Sequence, residues 1–368
     1  MKVLFLTPHG KIAYGGERSL RLLLNELKKL GVEILVLCRE QGVFTYQLKA
    51  DLLNVEMCPA TELTKSTLFG YLSSLYHLDR VARKFMPHVI HCNSASLAQI
   101  AVPIGKMRSI PVVVHLRNDI ECDYARRVFL TSSDSIIANS ESTGRSFRQR
   151  YGKRVKWYNI YNPIEDYGIA HETRNSVPVI TMLSQLTPIK GVDTFIRMAS
   201  HLKNGGFLAR HKIVGSETEF FIGYKRELED LVRSLDVSDR VEFVDFVIDT
   251  KPVYAGSDIV VVPSRKEAFG RVAAEAALSG IPVVASNVGG LPEVVVDGVT
   301  GYLVEPEDVT AFCERVQNLL IDRRLADTFG RSARRRALEL FSPEVHAKKV
   351  MQVYLNLLGR DKPVSLIS

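Results

Sequence analysis

No two of the 24 glycines lie two residues apart, so G-x-G occurs nowhere in the 368 residues. That excludes the G-x-G-x-x-G turn that seats a dinucleotide in doubly wound proteins. G-x-x-x-x-G-K-[ST] and G-x-S-x-G are missing too, which excludes a P-loop and a nucleophile elbow. The five cysteines, Cys38, Cys58, Cys92, Cys122 and Cys313, are odd in number and form no C-x-x-C pair. Neither a disulfide framework nor a zinc module follows, and a reducing compartment is expected. His88 and His91 stand three apart in a predicted strand, on opposite faces, so no metal site is expected. No apolar stretch approaches the ~20 residues of a membrane span. The opening run Val3–Leu6 stops at Thr7-Pro8, too short for a signal-peptide core. The expected location is cytoplasmic, with peripheral contact to the inner face of a membrane left open.

Hydrophobic residues make up 46% and charged residues 24%, ordinary values for a soluble chain and too apolar for disorder. The length fits two domains. The net charge is +7, which suits a phosphate-rich ligand or an anionic surface. Residues 145–156 carry Arg145, Arg148, Arg150, Lys153, Arg154 and Lys156 with no acid, and residues 323–336 carry six arginines against Asp327. Each cluster reads either as a solvated helix face or as a patch for acidic lipid headgroups or an anionic acceptor. No finger, knuckle or aromatic-basic signature accompanies them, so nucleic acid is not an expected partner.

Short apolar runs alternate with helix-period segments. Val3–Leu6, Val32–Leu37, Val89-Ile90, Val112–Val114 and Ser135–Ala138 form one series. Val177–Leu183, Lys212–Val214, Val241–Val244, Asp258–Val262, Pro282–Ala285 and Tyr302–Val304 form a second. Runs without polar alternation suit parallel strands buried on both faces. Two βα series imply an α/β chain of two Rossmann-like, doubly wound domains, 1–165 and 166–344. The last helix-like segment, about 345–368, is expected to return to the first domain. Two such domains facing each other leave a cleft lined by the carboxyl ends of their strands, where ligands bind in this architecture.

The densest chemistry lies in residues 263–290, PSRKEAFGRVAAEAALSGIPVVASNVGG. A buried strand ends at Pro263-Ser264, a short loop holds Glu267, Phe269 and Gly270, and a helix runs from about Arg271 to Leu278. A helix N-terminus offers unpaired amides and a positive dipole end to phosphate. Gly270 lets a ligand approach the backbone. Glu267 and Glu275, flanking that anion site, suit a ligand with hydroxyls at both ends and phosphates between: a sugar nucleotide.

Glu267 and Glu275, with seven residues between them and Ala-Phe-Gly after the first, resemble the E-x7-E motif of retaining family 4 glycosyltransferases, which have the GT-B fold. Gly15-Gly16-Glu17, Pro111–His115, Ser135–Ser140, Ile160–Ile164, Leu183–Gly191 and Gly289-Gly290 before Pro292-Glu293 resemble further family motifs in the same order. The resemblance implies a retaining, metal-independent transfer of a sugar from a UDP- or GDP-linked donor to an acceptor hydroxyl, with no other cofactor. It implies a saccharide or lipid-linked acceptor and a place in bacterial surface polysaccharide or glycolipid synthesis. Lys190 is then expected on the donor diphosphate, and Glu275 on the ribose diol. Glu267 is expected on the transferred sugar, beside the amides near Phe269 and Gly270. Amides near Arg271 and Val272 contact phosphate, Gly15 and Gly16 let the first domain approach the ligand, and Gly215 lies near the nucleoside. His115 sits close to the reacting sugar.

One residue departs from the family pattern. Gln185 stands where an arginine is usual, and a neutral amide cannot replace a bidentate cation on phosphate. Arg265, Arg271 and Arg117 are the candidates to substitute. The departure keeps two alternatives open: a non-catalytic sugar-nucleotide-binding protein, or a GT-B nucleotide-sugar epimerase or hydrolase.

Overall fold

The computed structural model describes residues 1–10, 15–59, 67–168 and 175–359. The chain divides into two units, Met1–Pro163 together with the chain from Pro343, and Ile164–Ser342. Residues 169–174, just past the expected domain boundary at 165–166, and the end of the last predicted segment lie outside the described residues.

The first unit holds strands β1 (Lys2–Thr7), β2 (Glu33–Cys38), β3 (Asn54–Met57), β4 (Val89–Cys92), β5 (Val112–Leu116), β6 (Ser135–Ala138) and β7 (Lys156–Asn159). They form one parallel sheet in the order β3-β2-β1-β4-β5-β6-β7, the doubly wound order that reverses direction at β1 and β4. Its helices are α1 (Gly15–Lys29), α2 (Val43–Ala50), α3 (Leu68–Phe85), α4 (Ala98–Arg108), α5 (Cys122–Arg127) and α6 (Arg145–Tyr151). Strand alternation sorts the core. Leu4, Leu6, Ile90 and Val114 pack under α3, α4 and α6, whereas Val3, Phe5, Val113 and Ile137 pack under α1 and α2.

The second unit repeats the plan with β8 (Val179–Leu183), β9 (Arg210–Val214), β10 (Val241–Val244), β11 (Ile259–Val262), β12 (Val283–Ser286) and β13 (Gly301–Val304). Their order is β10-β9-β8-β11-β12-β13, again all parallel. Its helices are α7 (Val192–Asn204), α8 (Tyr224–Ser234), α9 (Lys251–Ala255), α10 (Arg271–Leu278), α11 (Leu291–Val294), α12 (Val309–Ile321) and α13 (Arg323–Phe341). The last helix, α14 (Pro343–Leu357), places Ala347, Val350 and Tyr354 in the core beside α1 of the first unit.

The arginine-rich stretch 323–336 is only partly a solvated face. Arg334 makes a bidentate contact to Asp166 at 2.9 Å and reaches the Leu278 carbonyl, and Arg336 donates to the Glu293 carbonyl at 3.0 Å. These guanidiniums fasten α13 to the elements beneath it. Among the described residues, no helix is long and apolar enough to cross a membrane.

Candidate functional site

The carboxyl ends of β8, β9, β11 and β12 carry most of the residues singled out above. A turn of helix at Pro188–Lys190 ends at Gly191, whose φ is +69°. A Cβ there would stand 2.0 Å from the Pro263 carbonyl oxygen, so only glycine lets the Lys190 turn lie against the end of β11. The contact delivers Lys190 to the loop after β11, where its Nζ lies 2.7 Å from Glu267 Oε2. Lysine and glutamate are both half-buried, so they form one compact charge pair with access to solvent.

That loop is shaped by its neighbours. Gly289 and Gly290 press against it from β12: the Gly290 amide donates to the Glu267 carbonyl at 3.1 Å. A Cβ on Gly290 would meet the Ala268 carbonyl oxygen at 2.5 Å. Gly270 caps α10 in the left-handed region with φ +96°. Its missing side chain makes room for Leu291, whose Cδ2 would lie 2.6 Å from a Cβ. The need for glycine at 270 is therefore met inside the protein, before any ligand is considered. Phe269 turns its ring into the core, edge-on to Phe341 at 5.4 Å. Its backbone, followed by Arg271 and Val272 in the first turn of α10, is what remains for an anion.

Glu275 is 4% exposed. Arg271 Nε donates to its Oε1 at 2.7 Å, and the Tyr254 hydroxyl donates to its Oε2 at 2.8 Å. Burial, and then the Glu275 charge, push the Tyr254 phenol well above its usual range, which keeps the hydroxyl a donor. The sequence reading missed Tyr254; its one signal is a lone aromatic ring five residues before a buried strand.

Two of the arginines expected to stand in for Gln185 in this unit are committed elsewhere. Arg265 grips Asp193 with two contacts of 2.9 Å and Glu307 with one of 2.8 Å. The bonds to Asp193 are the chief cause of its guanidinium's raised pKa. Arg271 holds Glu275. Gln185 itself is exposed. Gly215, expected near the nucleoside, has φ +151°, and a Cβ there would lie 1.7 Å from the Ser184 carbonyl oxygen. It lets the chains leaving β8 and β9 run in contact, with Leu186 donating to the Ser216 carbonyl at 2.9 Å.

In the first unit, Gly15 and Gly16 open α1 as its first helical residues. The four residues before them lie outside the described residues. Among the described residues, a Cβ on Gly16 would meet only the Arg117 side chain, at 3.8 Å. Arg117 follows β5 and donates to Asn93 at 2.8 Å and to Asn162 at 2.5 Å. His115, expected close to the reacting sugar, is wholly buried. Its ring stacks on His346 at 5.7 Å and lies 5.5 Å from His91. Neither of its nitrogens has a hydrogen-bond partner among the described residues. Burial chiefly, and then the Arg117 charge, hold its pKa well below the usual imidazole range. The His91–His346 cluster around it was not legible in sequence, because its members come from β4, β5 and α14.

Two Rossmann-like units, with a lysine, two glutamates and a helix N-terminus at the carboxyl edge of one sheet, define a class of nucleotide-binding transferases. Comparison with known proteins narrows the class. The sequence matches the family described as "Glycosyltransferase Family 4" over residues 13–166 and that described as "Glycosyl transferases group 1" over residues 165–336. It is 30% identical over 342 residues to the N-acetyl-alpha-D-glucosaminyl L-malate synthase of Bacillus anthracis, covering 87% of this chain and 86% of that one. A D-inositol 3-phosphate glycosyltransferase of Catenulispora acidiphila is 34% identical over 220 residues, 55% of this chain and about half of the relative (51%). The structure of Anabaena HepE, determined with UDP and glucose, superposes with a TM-score of 0.83 at 24% identity, covering 96% of this chain and 99% of HepE. The chain belongs to the family 4 glycosyltransferases, and its fold is GT-B.

Proposed function

We propose that the protein transfers a sugar, with retention of anomeric configuration and without a metal ion, from a UDP- or GDP-linked donor to an acceptor hydroxyl. The observation that carries the reading is the Lys190–Glu267 pair at the start of α10. A cation, orphan amides and a helix dipole meet there at one point. In the transfer, the bond from the anomeric carbon to the diphosphate oxygen breaks, the acceptor oxygen takes its place on the same face, and the acceptor's O–H proton passes to the departing diphosphate. Negative charge builds on the departing diphosphate, where Lys190 and the amides near Arg271 and Val272 stabilise it. Glu267 accepts from hydroxyls of an oxocarbenium-like sugar, and Glu275, fixed by Tyr254, accepts from the ribose. UDP with glucose in the HepE structure and N-acetylglucosamine in the name of the Bacillus relative favour a UDP-hexose donor. A saccharide or lipid-linked acceptor and a role in surface polysaccharide synthesis are the corresponding proposals.

The test is a thermal-shift panel of nucleotide sugars, since a ligand bound only by the native state raises the melting temperature by mass action. It is followed by NMR of the product's anomeric proton with and without EDTA. An inverted product rejects retention; rates abolished by EDTA reject metal independence. Gln185, exposed where the family pattern has arginine, favours a second reading, a protein that binds the donor without moving its sugar. Saturable binding with no turnover toward any acceptor selects it.

A further inference from the structure

Helices α3, α4 and α6 cover one face of the first unit's sheet, and their inner sides share one apolar core. Their outer sides do not form an ordinary solvated face. Leu68, Phe69, Leu72 and Tyr76 on α3 are 50%, 88%, 50% and 71% exposed. Positions 68, 72 and 76 follow one another at i, i+4 and i+8, so they form a stripe along the first half of the helix. A contiguous exposed apolar stripe marks a contact site.

The charges around the stripe say what it contacts. The second half of α3 exposes Arg80, Arg83 and Lys84, and α4 ends in exposed Lys106 and Met107. On α6, the turn after it and the first residue of β7, Arg145, Arg148, Arg150, Lys153, Arg154 and Lys156 are all exposed. The one acid on these three helices is Asp79, and Arg83 and Arg108 both pair with it at 2.6 Å. Glu141 pairs with Arg148, and α5 brings one acid, Asp123, against Arg126. The face stays strongly positive after these are counted.

We propose that this face docks on an anionic phospholipid bilayer. The α3 stripe enters the boundary between headgroups and acyl chains, and the arginines and lysines meet the phosphates. A second copy of the chain fits poorly, because a two-fold interface would bring the same positive face against itself. In a parallel sheet α3 and α6 both start where β3 and β6 end. Phe69 and Arg145 therefore lie toward the sheet edge that also carries Gly16 and Arg117.

Vesicle co-sedimentation of the full chain tests the proposal without any nucleotide sugar, so its outcome is independent of the donor reading. Vesicles of phosphatidylcholine alone are compared with vesicles containing phosphatidylglycerol. Partition onto the anionic vesicles is expected to be at least about tenfold stronger and to fall with salt, since each base contributes about fivefold. Arg145→Glu with Arg148→Glu is expected to lower it at least about tenfold. Phe69→Ser with Tyr76→Ser is expected to remove the binding that survives high salt. All four side chains are exposed, and unchanged circular-dichroism melts verify that the variants fold. Equal retention on both vesicle types, or variants that partition like the wild type, overturn the proposal. So does a dimer in gel filtration that Phe69→Ser dissolves while the vesicles stay bare.

Discussion

The ammonium of Lys190 lies 2.7 Å from the Glu267 carboxylate across 77 residues of sequence. The pair joins two groups that the motifs assign separately, one to the diphosphate and one to the sugar. Each neutralises the other, so neither charge is buried alone. In the proposed function, the donor diphosphate competes with Glu267 for Lys190 and leaves the carboxylate open to sugar hydroxyls.

Lys190→Ala is expected to lower transfer at least about tenfold, equivalent to about 1.4 kcal/mol of transition-state stabilisation. Lys190→Ala and Glu267→Ala share one contact, so their effects in the double variant are expected to be non-additive by roughly 0.5–3 kcal/mol. Steady-state kinetics of the four proteins in the cycle check this. Wild-type turnover in Lys190→Ala removes the phosphate role.

Glu275→Ala is expected to weaken nucleotide binding by roughly 1–3 kcal/mol, because it removes the carboxylate and orphans the buried Tyr254 hydroxyl. Tyr254→Phe keeps the ring and deletes only the donor to Glu275 Oε2. Its expected effect is a severalfold higher KM for the donor with kcat nearly unchanged. Titration calorimetry with the free nucleotide checks the binding step, and an unchanged titration in Glu275→Ala argues against the ribose contact.

In the first unit central strands were easy to read and edge strands were not. The run at Ser135–Ala138 coincides with β6 residue for residue. Strands β3 and β7 went unread. They sit at the two edges of their sheet, exposing or half-exposing Asn54–Met57 and Lys156–Asn159, and neither carries a continuous apolar run. In the second unit the run at Val241–Val244 coincides with β10 although it is an edge strand, because its sequence keeps three apolar residues of four. At the site, local chemistry was legible: the strand, loop, Gly270 and the start of α10 all lie within a dozen residues. What escaped was long-range: Tyr254 against Glu275, Asp193 and Glu307 against Arg265, and His346 from α14 over His115 from β5. Each depends on chain segments that only the folded topology brings together. The packing constraint on glycine was long-range as well. At Gly215 and Gly270 the close approach is to the protein's own Ser184 and Leu291.

The histidine cluster predicts acid sensitivity. His346 is held down to about 3, and His91 and His115 lie well below the usual range, each chiefly through burial and then through the Arg117 charge. In the unfolded chain each titrates near about 6.5. Below that pH the unfolded chain binds protons that the folded unit refuses. Stability is therefore complete above about 6.5 and is lost as pH falls, by up to about 1.4 kcal/mol per pH unit for each histidine. Urea midpoints at neutral pH and one unit below the imidazole range check the slope. His346→Gln is expected to flatten it. A slope equal to the wild type's removes His346 from the acid transition.

Two glycines with similar backbones separate strain from site geometry. Gly289 has φ +56° and Gly298 has φ +68°, so alanine at either costs about 1–2 kcal/mol for the left-handed conformation. Around Gly298 nothing among the described residues lies within 4 Å of an added Cβ, whereas at Gly289 the Cβ would stand 1.7 Å from the Glu267 carbonyl oxygen. Backbone at that distance must move, and the segment that moves carries Glu267 and the entry to α10. Both variants are expected to melt several degrees lower. Only Gly289→Ala is expected to lose donor affinity, at least about tenfold, because a displacement near 1 Å is enough to spoil a preorganised site. Melting curves and nucleotide titrations on the two variants decide the matter. Equal losses of affinity in both detach the Gly289 contact from the site, and a normal affinity in Gly289→Ala shows that ligand contacts do not use the loop at Glu267.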